Sequence, residues 1–167
     1  MFGYEEALGY AVSPTVARDK DGISASLAVA LLTAELKASG RTLLDRLDEL
    51  AMEHGLFVTG QLSVRVEDLS LISDAMARLR AAPPSSLLGR PVTSSDLALQ
   101  DPPVDAVRLL GDGVRVIVRP SGTEPKLKAY LETVVPVHED AGLIAARGRG
   151  EDELDQLRQE MSAALGL

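Results

Sequence analysis

"VRPSGTEPKLKAY", residues 118–130, decides how the second half of the chain folds. It joins two segments of alternating apolar and polar residues through a loop holding two prolines, a glycine and two hydroxyls, with cations on both sides. Just upstream, "AVRLLGDGVRVIVRP" (106–120) alternates around Gly111-Asp112-Gly113, which predicts a hairpin turning at those three residues. Downstream, Leu127, Ala129 and Leu131 share one strand face, while Lys126, Lys128, Tyr130 and Glu132 share the other. Several antiparallel strands therefore follow one another, with the loop between two of them.

The flanking segments supply the partners such a sheet needs. "LFVTGQLSVRV" (56–66) sets Leu62, Val64 and Val66 against Gln61, Ser63 and Arg65, the pattern of a strand with one solvated face. "DLSLISDAMARLRAAPP" (68–84) predicts a helix capped by Asp68, with Leu69, Ile72, Met76 and Leu79 inward and a stop before Pro83-Pro84. Residues 85–106, rich in Ser, Pro and Asp, predict a loop and a short strand around Pro91 to Leu99. A polar, glycine-containing loop is expected over 138–150, before a last helix striped by Leu154, Leu157, Met161 and Leu165.

Nearer the start, Asp21 caps a helix with Ile23, Leu27, Leu31 and Ala34 at helical spacing and a stop at Ser39-Gly40. "TLLD" (42–45) resembles a capping box with Asp in place of Glu or Gln, opening a helix whose Leu43, Leu47, Leu50 and Ala51 share a face until Gly55. The first 22 residues predict loop with a short strand. The sum is an α+β fold, helices over one face of an antiparallel sheet.

Of 167 residues, 46% are apolar but only 3% aromatic, so the core must be built from Leu, Val, Ile and Ala. The formal net charge of −8 repels polyanions, which argues against nucleic acid or an anionic membrane as partner but leaves room for a small anion at a local basic site. The chain has no cysteine, which excludes a disulfide framework, a thiolate metal site and a cysteine nucleophile. With no signal-like start and no apolar run of about 18 residues, a soluble, cytoplasmic protein is expected.

The 118–130 loop admits two readings. Gly122 permits close backbone approach, Ser121 and Thr123 offer hydroxyls, and Arg119 offers a fork suited to phosphate oxygens, with Pro120 and Pro125 stiffening the ends. Pro-Ser-Gly is equally a good turn sequence, selected by backbone geometry alone. Glu124 would repel a phosphate by about 4 kcal/mol at 4 Å and an effective dielectric of 20. It is therefore expected to point away, towards Lys126 or Lys128.

Other stretches carry weaker signals. In "GYEEALGY" (3–10), Glu5 and Glu6 lie between glycines and could face sugar hydroxyls or move a proton, or simply be solvated. In "RDKDG" (18–22), Arg18 and Lys20 precede a helix N-terminus, a plausible anion site offset by Asp19 and Asp21. His54 is expected to close a helix and His138 to lie in a loop, too far apart in sequence to suggest a metal site. The "GDG" at 111–113, with its single Asp, reads as a turn and not as a cation loop.

"FGYEEALGY", "DKDGISAS" and "VRPSGTEPKLKAYLE", in that order, resemble the C-terminal portion of the α-D-phosphohexomutases, the phosphoglucomutase and phosphomannomutase family. The resemblance implies a four-domain parent enzyme that isomerises sugar phosphates through a phosphoserine, with Mg2+ and a sugar bisphosphate activator. It implies that residues 1–40 are the α/β end of a third domain and 41–167 the phosphate-binding fourth domain, TATA-binding-protein-like in fold. Arg119, Ser121, Gly122 and Thr123 match the family's phosphate loop. Glu5 and Glu6 fall in its sugar-binding loop, and Lys20 matches the basic residue of its "KDG" segment.

Two departures accompany the match. Ala7 stands where many members carry a serine, and the "EEA" form resembles the branch with phosphopentomutases, glucose-bisphosphate-handling enzymes and bacterial proteins labelled phosphomannomutase. No segment resembling "TASHNP", the phosphoserine loop, or "DGDGDR", the magnesium loop, occurs in these 167 residues. The resemblance thus implies a chain that binds a hexose or pentose phosphate by its non-reacting phosphate and does not turn it over alone. Two further readings stay open: a free-standing phosphosugar-binding or regulatory module, and a structural dimer formed by strand exchange through the apolar segment Phe2 to Tyr10.

Overall fold

A computed structural model of the chain describes residues 2–5, 8–137 and 140–167. It divides into two compact units, residues 1–49 and 50–167. The larger unit is built on a six-stranded antiparallel sheet. The smaller holds a two-stranded hairpin, a helix and the first turns of the next helix.

The chain begins with the hairpin strands β1 (Gly3–Glu5) and β2 (Gly9–Ala11), followed by helices α1 (Gly22–Ala38) and α2 (Leu43–His54). After these come β3 (Leu56–Arg65), α3 (Ser70–Ala81), β4 (Ser86–Leu87), β5 (Arg90–Asp96), a single 3-10 turn at Leu97–Leu99, β6 (Val107–Gly111), β7 (Val114–Pro120), β8 (Lys126–Val135) and α4 (Asp140–Leu165). The sheet order is β3-β8-β7-β6-β5-β4, and every neighbouring pair is antiparallel. This is the α+β arrangement that the strand and helix patterns imply.

The strand alternation fixes which face is covered. Val107, Leu109, Val114, Val116, Val118, Leu127, Ala129 and Leu131 point into the core against Ile72, Met76 and Leu79 of α3 and Leu154, Leu157, Met161 and Leu165 of α4. The opposite face carries Gln61, Ser63, Arg65, Arg115, Arg119, Lys126 and Lys128 and is left to solvent. The β6–β7 turn closes on Asp112-Gly113, with Gly111 paired to Val114.

One polar cluster around the buried Thr133 ties this frame together. Thr133, on the core face of β8, donates its hydroxyl to Glu153 of α4, whose other carboxylate oxygen accepts from Arg90 Nη2 at 2.7 Å. Arg90 Nη1 also reaches the carbonyl of Gly113 at 3.0 Å, so Thr133, Glu153 and Arg90 each have a partner within the cluster.

The start of α4 differs from expectation. The loop predicted from 138 to 150 is largely helix, because α4 begins at Asp140 and runs through Gly142, Gly148 and Gly150. Tertiary contact outweighs the poor helix propensity of glycine here. A Cβ on Gly150 would stand 2.4 Å from Cγ2 of Val58, so the glycine is what lets α4 lie close on β3. Leu143 and Ala146 on the same stretch join Ala51, Val135 and Val137 in a second apolar cluster. His138 lies outside the described residues. Leu69 also departs from expectation: it precedes α3 and is 64% exposed, because the helix begins one residue later, after the Asp68 carboxylate accepts from the Ser70 amide at 2.8 Å.

In the smaller unit the caps are as read. Asp21 accepts from the amides of Ile23 and Ser24 at 3.1 and 3.0 Å. Thr42 and Asp45 bond reciprocally, the Thr42 amide donating to Asp45 at 2.7 Å and the Asp45 amide to Thr42 Oγ1 at 3.2 Å, so Asp serves the capping box. The packing of α1 is not as read. Ile23, Leu27 and Leu31 are 84%, 61% and 58% exposed, and Leu36 is the buried residue of this helix. Val29 and Leu32 are exposed as well, so apolar residues surround α1 on all sides, the composition of a helix enclosed by other elements.

Candidate phosphate-binding site

The segment after β7 is a hairpin loop whose polar groups are only partly used within the chain. Pro120 pairs with Leu127 at the end of the ladder, the Ser121 amide donates to the Lys126 carbonyl at 2.8 Å, and the Lys126 amide donates to the Glu124 carbonyl at 2.7 Å. The Val66 amide donates to the Pro125 carbonyl at 3.0 Å, which ties the end of β3 to the loop. Among the described residues, the amides of Gly122, Thr123 and Glu124 donate to no protein atom. Three successive donors on this exposed bend are thus unspent and open to an anion.

Cations surround that bend. Arg119 is exposed and donates from Nε to the Pro120 carbonyl at 3.2 Å, and among the described residues it forms no ion pair with a carboxylate. Its direct cross-strand partner is Lys128, so two cations face each other on the solvated side of the sheet. Glu124 turns back onto Lys126, whose Nζ lies 3.0 and 3.2 Å from its two carboxylate oxygens. That contact holds the Glu124 carboxyl below its usual range, with smaller help from Arg65 and Lys128. The one acidic side chain of the loop thus points at a lysine, as electrostatics requires.

Sequence reasoning placed Arg119, Ser121, Gly122 and Thr123 in one loop; in the structure Arg119 is still in β7, paired with Lys128, and Ser121, Gly122 and Thr123 follow in the connection to β8. It missed the contribution of β3. Arg65 stands directly opposite Lys126, and Ser63 opposite Lys128. Alternation could reveal that Arg65 lies on the solvated face, but register between strands some sixty residues apart is a tertiary fact. On the other side of the loop, a cleft of about 410 Å3 separates Pro120, Ser121 and Glu124 from Ile72, Ser73 and Met76 of α3. Arg80 at its edge is held by Asp96 at 3.0 Å and Asp105 at 2.6 Å.

The smaller unit brings together two of its three expected sugar-binding residues. Lys20 Nζ lies 2.7 Å from Glu5 Oε2, and that hydrogen bond raises the lysine above its ordinary pKa. A Cβ on Gly9 would fall 2.3 Å from Cδ of Lys20, so the lysine stem crosses the hairpin in the space that glycine leaves. Both side chains line a small cleft with Gly3, Tyr4 and Asp19. Glu6 lies outside the described residues, as does Ala7. The amides that an anion at the "RDKDG" helix start would need are already taken by Asp21.

His54 ends α2, with Nε2 3.6 Å from Glu53. Among the described residues no group of three or more His, Asp or Glu side chains is placed to hold a metal ion. No single described helix is long and apolar enough to cross a membrane.

This geometry coincides with a sequence match. The family model described as phosphoglucomutase/phosphomannomutase, C-terminal domain, matches residues 62–146, a span that contains the loop and both of its strands. The chain belongs to this family. Among curated relatives, a probable phosphomannomutase of Haemophilus influenzae is 45% identical over 148 residues, 87% of this chain and 30% of the relative. A phosphoglucomutase of Staphylococcus aureus is 28% identical over 158 residues, 84% of this chain and 28% of the relative. One from Staphylococcus epidermidis is 30% identical over 151 residues, 78% of this chain and 27% of the relative. The chain therefore spans less than a third of the length of these relatives.

Proposed function

We propose that this chain is the C-terminal part of a sugar-phosphate mutase and that its 119–123 loop holds the non-reacting phosphate of a hexose or pentose phosphate. The observation that carries the reading is the row of unspent amides at Gly122, Thr123 and Glu124, beside an Arg119 that forms no ion pair among the described residues. Backbone donors and the hydroxyls of Ser121 and Thr123 meet the phosphate oxygens, while Arg119 and Lys128 supply charge. Binding energy gained there orients the distant reacting phosphate.

Glu5, Glu6 and Lys20 form the sugar-recognising set. Glu5 and Lys20 are paired with each other, and sugar hydroxyls compete for both of them. The parent enzyme is an isomerase acting by intramolecular phosphotransfer in the cytoplasm, with Mg2+ and a sugar bisphosphate serving parts of it that these residues do not include. Phosphoryl transfer needs a positioned nucleophile and charge neutralisation at the moving group. The chain alone therefore binds without turnover, and neither nucleic acid nor a membrane is its partner.

Calorimetry with glucose 1-phosphate tests this reading. Loss of a charged hydrogen bond in Arg119→Ala should cost about 1.5 to 3 kcal/mol of binding. Equal affinity in the two proteins would remove the reading, and turnover in a coupled mutase assay with magnesium and a sugar bisphosphate would remove the claim of inactivity. A second reading, a dimer through the N-terminal unit, draws on the exposed apolar surface of α1 and the groove lined by Phe2, Leu8, Tyr10 and Val29. Sedimentation of the chain as a monomer at all concentrations would eliminate it.

A further inference from the structure

Resting on the phosphate-binding reading of the loop, a further residue can be assigned to the same site. We infer that Arg65, at the end of β3, is a third cationic ligand of the loop's phosphate and selects for a dianionic group. Four cations converge on the solvated corner of the sheet: Arg65 on β3, Lys126 and Lys128 on β8, and Arg119 on β7. Lys126 spends its ammonium on both oxygens of Glu124. Among the described residues, Arg65, Lys128 and Arg119 form no ion pair, which leaves three positive charges beside the open amides in a protein of net charge −8.

Register makes Arg65 part of this corner. It lies directly across from Lys126, and the next residue, Val66, bonds to Pro125 of the loop itself, so the end of β3 and the loop are fixed relative to each other. Arg65 and Arg119 flank β8 from opposite sides, two strand spacings across and two residues along, which places their backbones roughly 12 Å apart. Side chains of this length, one from each side, bracket a single tetrahedral anion. That Arg65 also helps depress the Glu124 carboxyl supports its nearness to the loop.

Glu124 has a defined part in this arrangement. By pairing with Lys126 it removes one cation and keeps its own charge away from the open amides, so Arg65, Arg119 and Lys128 are left for the ligand. Three cations without a counterion favour a doubly charged phosphate ester over a singly charged sulfate ester of the same shape. A loop that used Arg119 and amides alone would discriminate less.

The test compares glucose 6-phosphate with glucose 6-sulfate by calorimetry at low ionic strength and pH 8, on the 167-residue chain and its Arg65→Ala, Arg65→Lys and Arg119→Ala variants. Arg65→Ala should weaken the phosphate ester about three- to fivefold, the upper part of the range of an exposed charge pair, and weaken the sulfate ester less. Arg65→Lys, which keeps the charge, should recover most of the loss, an outcome that general damage to β3 would not give. If Arg119→Ala weakens binding while Arg65→Ala leaves both esters unchanged, or weakens both equally, the assignment of Arg65 is overturned and the loop reading stands. If Arg119→Ala has no effect, the loop reading falls and the assignment falls with it.

Discussion

Arg119 and Lys128 are cross-strand partners in the β7–β8 ladder, with both side chains on the solvated face of the sheet. Like charges directly opposite destabilise a sheet, so the fold carries an unfavourable pair that an anion would relieve.

Lys128→Gln should therefore separate stability from binding. Urea denaturation in phosphate-free buffer should show the variant unchanged or more stable, by about 0.2 to 1 kcal/mol, while its affinity for a sugar phosphate falls. A variant that loses both stability and affinity would mean that Lys128 contributes packing and not a charge held for a ligand.

Gly150 allows α4 to rest on β3, and the space for a methyl group is already filled by Val58. Gly150→Ala gains helix propensity but must push the helix off the sheet, so a net loss of about 1 to 3 kcal/mol is expected from overpacking. Chemical denaturation with an unchanged m-value checks this. A stabilised variant would show that α4 can shift without cost.

The Thr42 hydroxyl, followed by its amide, holds the Asp45 carboxyl below the usual carboxylate range. The unfolded chain then binds the proton more readily than the folded one. The stabilisation from this cap is present above about pH 4, the ordinary aspartate value, and is lost as pH falls through the lower folded value. In thermal melts, the advantage of the natural chain over Asp45→Asn should shrink below pH 4. A difference independent of pH would contradict the assigned cause.

Much of this was legible locally. Asp21, Asp45 and Asp68 announce helix starts because a carboxylate near free amides acts within a few residues, and each of them makes such a bond. The alternation of Leu127, Ala129 and Leu131 with lysines gave the faces of β8, and their burial follows it. The bend at 119–123 was visible because turn chemistry and anion chemistry call for the same small residues.

What sequence left unread is non-local. Gly142, Gly148 and Gly150 look like loop residues until β3 lies beneath them. Arg65 is one more exposed strand cation until register sets it across from Lys126. The periodic leucines of α1 imply a buried face, yet burial needs a covering element, and Ile23, Leu27 and Leu31 have none among the described residues.

In the proposed function, the amides of Gly122, Thr123 and Glu124 receive a phosphate. Amide NMR of the chain titrated with glucose 1-phosphate reads those three donors directly. Saturable shifts are expected at these residues, with Asp112 and Gly113 at the β6–β7 turn unmoved and the loop shifts much reduced at the same ligand concentration in Arg119→Ala. Shifts that bypass residues 122–124, or that persist undiminished without the arginine, would contradict that function.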